Sequence, residues 1–528
     1  MIDSPAGPRP LTLADVVEAV SDAVPDRPAV VTTTRSYTYR EMDERSTRLA
    51  NHLRSRGVGP GDHVAVHATN RIEWVDALYG CLKARAVPIN VNYRYTHDEL
   101  AHVYVDSGCV AAIVAPEFRP AVDALGLPGL HTVLELGEPY ERALASADTT
   151  RITGRSPDDH YVVYTGGTTG RPKGVVWRVE DLLRGALNGG RLGAPMESVE
   201  QIAAEAAATE TPMVMLACGP LMHGGSQWTL ANGHVAGSTV ALYDRPRFDP
   251  REVLDLVERA RVVSLTVLGD AMGRPLAEAV LAEPERWDLG CLAAVSTGAA
   301  PLSAAVREQL RRALPGRPVL DVFGASESGS AATGFDDGSP GGPTAPNFAG
   351  NPQLEVFDED LAPCPAGVRG RLARSGPIPL GYHGDPERTA ATFPVVDGVR
   401  WALPGDIARR EPDGSVTVLG RGSLCINTGG EKVFPEEVEA VLVGHPGVLD
   451  AAVVGVAHDR WGEQVTALVR RRPGAEVSDE ELRGHVRTRI SDYKVPKSVV
   501  FVDRVPRTPA GKLDHRECVR LASAAAEG

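Results

Sequence analysis

Tyr164-Thr-Gly-Gly-Thr-Thr-Gly-Arg-Pro-Lys-Gly174 packs four glycines, three threonines and two cations into one short connection. Gly166, Gly167, Gly170 and Gly174 let backbone amides approach an anion, Thr165, Thr168 and Thr169 offer hydroxyl donors, and Arg171 and Lys173 add charge. Such a loop holds phosphates. It is not the P-loop of nucleotide triphosphatases, which needs Gly-Lys followed directly by Ser or Thr, because Pro172 precedes Lys173 and Gly174 follows it. The alternative is a plain Gly/Thr surface loop. Against it stands the preceding Tyr161-Val-Val-Tyr164, which reads as the end of a buried strand, where α/β proteins place ligand loops.

Working outward, 528 residues exceed one ordinary domain, so two or more are expected. The 43% hydrophobic and 23% charged fractions are those of a folded globular chain, not a disordered one. The formal charge, 55 − 69 = −14, argues against a general nucleic-acid or anionic-membrane binder, so phosphate binding must be local. The seven cysteines are odd in number and contain no Cys-x-x-Cys pair, which fits a reducing, cytoplasmic setting. Met1-Ile-Asp-Ser-Pro5 lacks the basic start and apolar run of a signal peptide. No stretch reaches the roughly 18 apolar residues of a membrane span, and no basic amphipathic helix announces peripheral attachment.

From Leu11 to about Pro116, helical patterns such as Tyr39 to Arg54 alternate with β-rich runs such as His63 to His67 and Val110 to Ala115. Further strands are predicted at Val162-Val163, Val214 to Ala217, Thr239 to Tyr243, Val262 to Leu268 and Ala293 to Ser296, and a helix from Ser198 to Thr211. After Asp406 the texture changes: Arg410 to Leu419 reads as a turn between two strands, and Gly420-Arg-Gly-Ser423 as a linker. Beyond it, Pro435 opens a helix and Leu449 to Val456 and Val465 to Arg470 read as strands. The expectation is an α/β chain: a large N-terminal domain of layered sheets and helices, residues 1–421, and a small α+β domain, residues 422–528.

Four later segments narrow the function: Pro220-Leu-Met-His-Gly-Gly225, Ser296-Thr-Gly-Ala-Ala-Pro301, Phe323-Gly-Ala-Ser-Glu327, and Gly420-Arg421 leading to Pro506-Arg-Thr-Pro-Ala-Gly-Lys512. In this order, with the glycine-rich loop, they resemble the adenylate-forming superfamily of acyl-CoA synthetases, adenylation domains and luciferases. The stretch Cys425 to Glu439 is most similar to bacterial fatty-acid or steroid-acid CoA ligases. The resemblance implies that a carboxylate attacks the α-phosphate of ATP and expels pyrophosphate, so cations and oriented amides must offset gathering negative charge.

By that resemblance, Thr165, Gly166, Gly167, Thr168, Thr169, Gly170 and Lys173 hold the β- and γ-phosphates, and Glu327 helps hold a Mg2+ ion. Phe323, with Gly324 and Ser326 in the same motif, stacks on the adenine, and Gly298 and Ala299 line its other side. Asp406 and Arg421 fix the nucleotide, unless they form only a surface salt bridge. Lys512, in a turn-rich segment of a mobile domain, is the prime catalytic candidate; taken alone it would be a solvated lysine. His223 falls near the acyl pocket and the CoA tunnel, with a packing histidine as the equal alternative. Trp228, Leu268, Gly269, Asp270, Met272 and Thr297 are placed at the acyl pocket, although Asp270 reads more simply as a helix N-cap. Gly429 and Gly430 line the pantetheine tunnel after domain rotation, and Lys432 and Lys494 are candidate CoA-side cations beside the reading as surface lysines.

The chain departs from the pattern in three places. Leu424 stands where the hinge usually carries Asp or Lys, Phe323 replaces a tyrosine, and Gly167 stands where Ser is common. The resemblance thus implies ATP, Mg2+ and CoA, a small-molecule acid, no nucleic acid and a homodimer at family level. Loading of a separate carrier protein, adenylation of nitrite for diazotisation, and a catalytically silent homologue are the competing readings. Retention of Lys512, Glu327, Asp406 and Arg421 speaks against the last.

Overall fold

The computed structural model describes residues 10–166, 171–187, 196–298, 302, 304–336, 347–421, 426–433, 435–506 and 514–526. Two large, mainly parallel sheets form its body. One has seven strands, running from Gly381–Tyr382 at one edge through Lys173–Arg178, His160–Thr165, Val87–Asn90, His63–His67 and Ala111–Val114 to Thr132–Glu135. The other has eight, with Val319–Ala325, Ala294–Thr297, Ser264–Val267, Val214–Ala217 and Thr239–Leu242 in adjacent positions. Strands covered by helices on both faces need apolar residues throughout rather than in alternation. Val87–Asn90, Ala111–Val114 and Thr239–Leu242 are accordingly buried at every position.

Helices fill the space between the sheets by close approach. Tyr39–Ser55 starts with a capping box between Thr38 and Glu41. It packs on Ile72–Lys83, where a Cβ on Gly80 would lie 2.7 Å from Leu49 Cδ2. Lys83, 1% exposed, ends that helix by pairing with Asp43 at 2.5 Å. Gly80→Ala is therefore expected to cost about 1–3 kcal/mol through overpacking, visible as a lowered melting temperature with unchanged helix content.

A third sheet of five antiparallel strands includes Arg369–Arg374, Asp406–Arg410 and Val416–Arg421. From residue 426 onward the chain builds its own sheet, with Ile426–Thr428, Glu431–Val433, Val448–His458 and Gly462–Arg471 antiparallel and Ser498–Phe501 parallel to the last. That sheet shares no strand with the others among the described residues and has its own apolar core around Val433, Val438, Val453 and Val465. The helix over Pro435–Val443 and both expected strands are present. No helix among the described residues is long and apolar enough to cross a membrane.

The glycine-rich segment joins two antiparallel strands, His160–Thr165 and Lys173–Arg178, in register from His160 opposite Arg178 to Thr165 opposite Lys173. The second arm was not among the expected strands. Gly174 has a different use from that expected: it lies opposite Tyr164, and a Cβ there would meet the Tyr164 ring at 2.8 Å. It makes room for an aromatic ring across the hairpin.

Candidate active site

Thr165, half-buried, and Gly166, exposed, end the first arm of the hairpin. Gly167, Thr168, Thr169, Gly170, Ala299 and Lys512 lie outside the described residues, and Asp270 and Arg421 are described only through their backbone. Lys173 begins the return arm, with its ammonium 3.2 Å from Glu327 Oε1. It also donates to the Tyr382 hydroxyl at 2.7 Å, and that hydroxyl donates to Glu327 Oε1 at 3.0 Å. Glu327 and Tyr382 are 6% and 7% exposed and the Lys173 side chain 13%, so this is a closed triangle of largely buried polar groups. Burial, and then the neighbouring Glu327 carboxylate, push the Tyr382 phenol far above its ordinary range and keep it a donor.

The triangle has rigid supports. Tyr382 is carried by the edge strand paired with the hairpin, Tyr382 opposite Val175. The turn bearing Glu327 is held by Trp177, whose Nε1–H donates to the Ser326 carbonyl at 3.0 Å. Arg374 donates to the Ser328 carbonyl and, at 3.0 Å, to that of Gly185. Burial lowers the Arg374 guanidinium to about 10. Gly324 is required here, since a Cβ would lie 2.4 Å from the Gly329 carbonyl oxygen.

Phe323 and Gly298 sit at neighbouring strand ends, because Ala294–Thr297 pairs in parallel with Val319–Ala325, Thr297 opposite Asp321. The Phe323 ring lies 5.7 Å from Phe348 and joins the third sheet's core. Asp406, 6% exposed, stands directly opposite Arg421 across the antiparallel pair, so these two are cross-strand neighbours.

A cleft of about 590 Å³, counting the part open to solvent, brings together His223, Leu268, Met272 and Gly430, with Arg94, Arg245 and Glu431 also on its wall. Trp228, Thr297 and Gly269 do not line it. Trp228 is 8% exposed and packs edge-on against Trp177. Buried Thr297 accepts from the Gly269 amide at 3.2 Å. Gly269, at φ +57°, takes the N-cap position of Asp270–Ala282, and Asp270 is the first helical residue. The cap reading of Asp270 is thus displaced by one, because this cap needs a left-handed residue.

His223 is the N-cap residue of Gly224–Val235, and its Nε2 lies 3.7 Å from Glu431 Oε1. Arg94 reaches the same carboxylate oxygen at 2.5 Å. Burial would raise the Glu431 carboxyl, but His223 and then Arg94 hold it below its ordinary range. Gly430, at φ +87°, brings backbone to the cleft: a Cβ there would stand 3.4 Å from Leu268. Lys494 differs from the expectation of a CoA-side cation. It is 4% exposed, with its ammonium 2.6 Å from Glu99 and 2.8 Å from Glu437. Lys432 is half-buried.

Tyr382, Glu431, Arg94 and Glu99 escaped the sequence reading. Only Glu431 carried a signal, its place beside Gly429-Gly430. Among the described residues no group of three or more His, Cys, Asp or Glu side chains is arranged to hold a metal ion. One carboxylate, Glu327, beside a glycine-rich loop fits Mg2+, which is commonly held by one or two carboxylates together with substrate phosphates. Tyr382→Phe removes the bridge between Lys173 and Glu327. At the ATP site that the resemblance implies, it is expected to lower kcat/KM for ATP by about 10- to 100-fold, since a hydrogen bond to a charged group contributes ~1.5–3 kcal/mol. Unchanged steady-state kinetics with ATP would assign the hydroxyl to packing alone.

Residues 17–383 match the family described as AMP-binding enzyme, and residues 437–512 its C-terminal domain. A medium/long-chain-fatty-acid and 3-oxocholest-4-en-26-oate CoA ligase of Mycobacterium marinum is 41% identical, over 96% of each chain. A 3-oxocholest-4-en-26-oate CoA ligase of Rhodococcus rhodochrous is also 41% identical, over 96% of this chain and 95% of its own. The amide bond synthetase McbA of Marinactinospora thermotolerans superposes with a TM-score of 0.80 at 26% identity, covering 96% of this chain and 99% of its own.

Proposed function

The chain belongs to the AMP-binding enzyme family, and we propose from that premise that it is an AMP-forming acid–thiol ligase acting on fatty or steroid carboxylic acids. ATP and CoA are its co-substrates. In the first step the acid's carboxylate oxygen bonds to the α-phosphorus and pyrophosphate leaves; in the second the CoA sulfur bonds to the acyl carbon and AMP leaves.

The observation that carries this reading is the closed triangle of Lys173, Tyr382 and Glu327 at the base of the glycine-rich loop. Lys173 brings a largely buried positive charge to the foot of the loop proposed to hold the β- and γ-phosphates, and Tyr382 fixes that ammonium by accepting from it. Glu327 is the residue to hold Mg2+, which when bound neutralises phosphate charge. Phe323 and Gly298 form the adenine slot, and Asp406 with Arg421 anchors the ribose. Lys512 supplies the ammonium that bridges carboxylate and α-phosphate. We place the division at 421/422, with residues 1–421 as the adenylating body and 422–528 as the small domain that carries Lys512. In the second step the cleft of His223, Leu268, Met272 and Gly430 receives the thiol arm.

The test is pyrophosphate release with a panel of medium- and long-chain fatty acids, a steroid side-chain acid and nitrite, each with and without CoA or a carrier protein. Acid-dependent release, with acyl-CoA and AMP formed when CoA is added, is the expected result. Release with nitrite alone, or transfer to carrier protein alone, would replace the acid or the acceptor. No release with any acid would overturn the reading.

A further inference from the structure

Away from the loop and cleft, the small domain meets the body through a buried ion cluster that the chemistry above does not use. Lys494 Nζ sits between Glu99 Oε1 at 2.6 Å and Glu437 Oε1 at 2.8 Å, and Ser491 donates to Glu99 Oε2. The three charged side chains are 5%, 9% and 11% exposed. Glu99 belongs to the body, on helix His97–Ser107; Ser491, Lys494 and Glu437 belong to the sheet domain that begins at residue 426. Ions dehydrated in this way stay paired only while both partners are docked.

Helix His97–Ser107 reaches the phosphate hairpin as well. His102 Nε2 donates to the Pro172 carbonyl at 2.9 Å, and the Tyr164 hydroxyl donates to Asp106 at 2.6 Å. One helix therefore touches the small domain through its first turn and the glycine-rich loop's flanks through its later turns. The docked pose is the one in which Gly430 stands against Leu268 in the thiol cleft.

We propose that Glu99, Lys494 and Glu437 form an interdomain latch that registers the small domain in the thioester-forming pose, and that helix His97–Ser107 ties this latch to the phosphate hairpin. The proposal rests on the acyl-CoA ligase reading for its two half-reactions. An ion cluster suits the task better than an apolar seam. Pairing of buried charges repays little more than their dehydration, so it fixes register without welding the domains together. Glu437 Oε2 is buried without a hydrogen-bond partner, which weakens the cluster further and favours release.

These are positioning residues, and the test separates positioning from general stability. Glu99→Gln keeps an acceptor for the Thr96 amide, so its helix cap is retained, but removes the charge facing Lys494. Acyl transfer from supplied adenylate to CoA is expected to fall at least about tenfold, while acid-dependent pyrophosphate release changes by less than about twofold, as breaking one side of a buried pair requires. The double variant Glu99→Gln with Lys494→Met should lose no more than the more impaired single variant. Hydrogen exchange of the full chain should rise at residues 490–495 and 429–431 in Glu99→Gln. Equal loss of both half-reactions, additive losses, or unchanged exchange at those segments would each overturn the latch. Should Glu99→Gln melt below the assay temperature, Glu437→Gln tests the same cluster from the other domain. Exchange needs no turnover, so absent pyrophosphate release in the unaltered chain would refute the ligase reading and leave the latch to be judged by exchange.

Discussion

Lys512→Ala is expected to slow pyrophosphate release by about 10²–10³-fold, the usual loss when one positioned electrostatic group is removed from a reacting centre. Thioester formation from supplied acyl-adenylate should survive nearly intact. In adenylation two anions meet, and an ammonium that bridges the acid's oxygen and the α-phosphate acts only while that bond forms. In acyl transfer the attacking atom is sulfur, and the charge to be managed lies on the carbonyl and the departing AMP. Lys512 belongs to a turn-rich segment whose ends are tied together, the Asp514 amide donating to the Pro506 carbonyl at 3.1 Å. Single-turnover measurement of each half-reaction decides the matter. Equal loss in both would remove Lys512 from the adenylation step.

The second large effect is expected from Glu327→Gln. Glutamine still offers an oxygen to Tyr382 and Lys173, so the substitution isolates the carboxylate's charge from its shape. Adenylation should fall about 100-fold, and the Mg2+ concentration giving half-maximal rate should rise. Stability should respond as well. Lys173 is 13% exposed at its side chain and loses the negative charge of Glu327 beside it, so the melting temperature should drop. Added ATP should restore part of that drop by giving the ammonium another anion. An unaltered rate of pyrophosphate release would sink the assignment of Glu327.

What was legible in the sequence was local. Strand ends, the helix opened by Pro435, the turn between Arg410 and Val416 and the glycine-rich loop each declare themselves within a dozen residues. Motif order then carried the reading from elements to site. What stayed hidden joins segments far apart: Tyr382 meets Lys173 across 209 residues, and Lys494 meets Glu99 across 395. Neither contact has a signature, because a tyrosine after a glycine or a glutamate in a helix's first turn has many ordinary uses. Gly174 shows the converse, a packing role that the motif did not announce. A glycine in a glycine-rich loop invites a ligand explanation, yet the atom it accommodates belongs to the ring of Tyr164. Gly269 shows a smaller departure, since a left-handed glycine displaced Asp270 from the cap it was expected to provide.

The double duty of Glu99 has a consequence for wear. Its Oε2 accepts from the amide and the hydroxyl of Thr96, closing its own helix end, at the same time as the carboxylate faces Lys494. Under the proposed latch, release of the small domain would leave that carboxylate capping its helix, so no raw end would be exposed and nothing in the body would need rebuilding before redocking. Each proposed cycle would then cost the rehydration of a few ions rather than the melting of a turn.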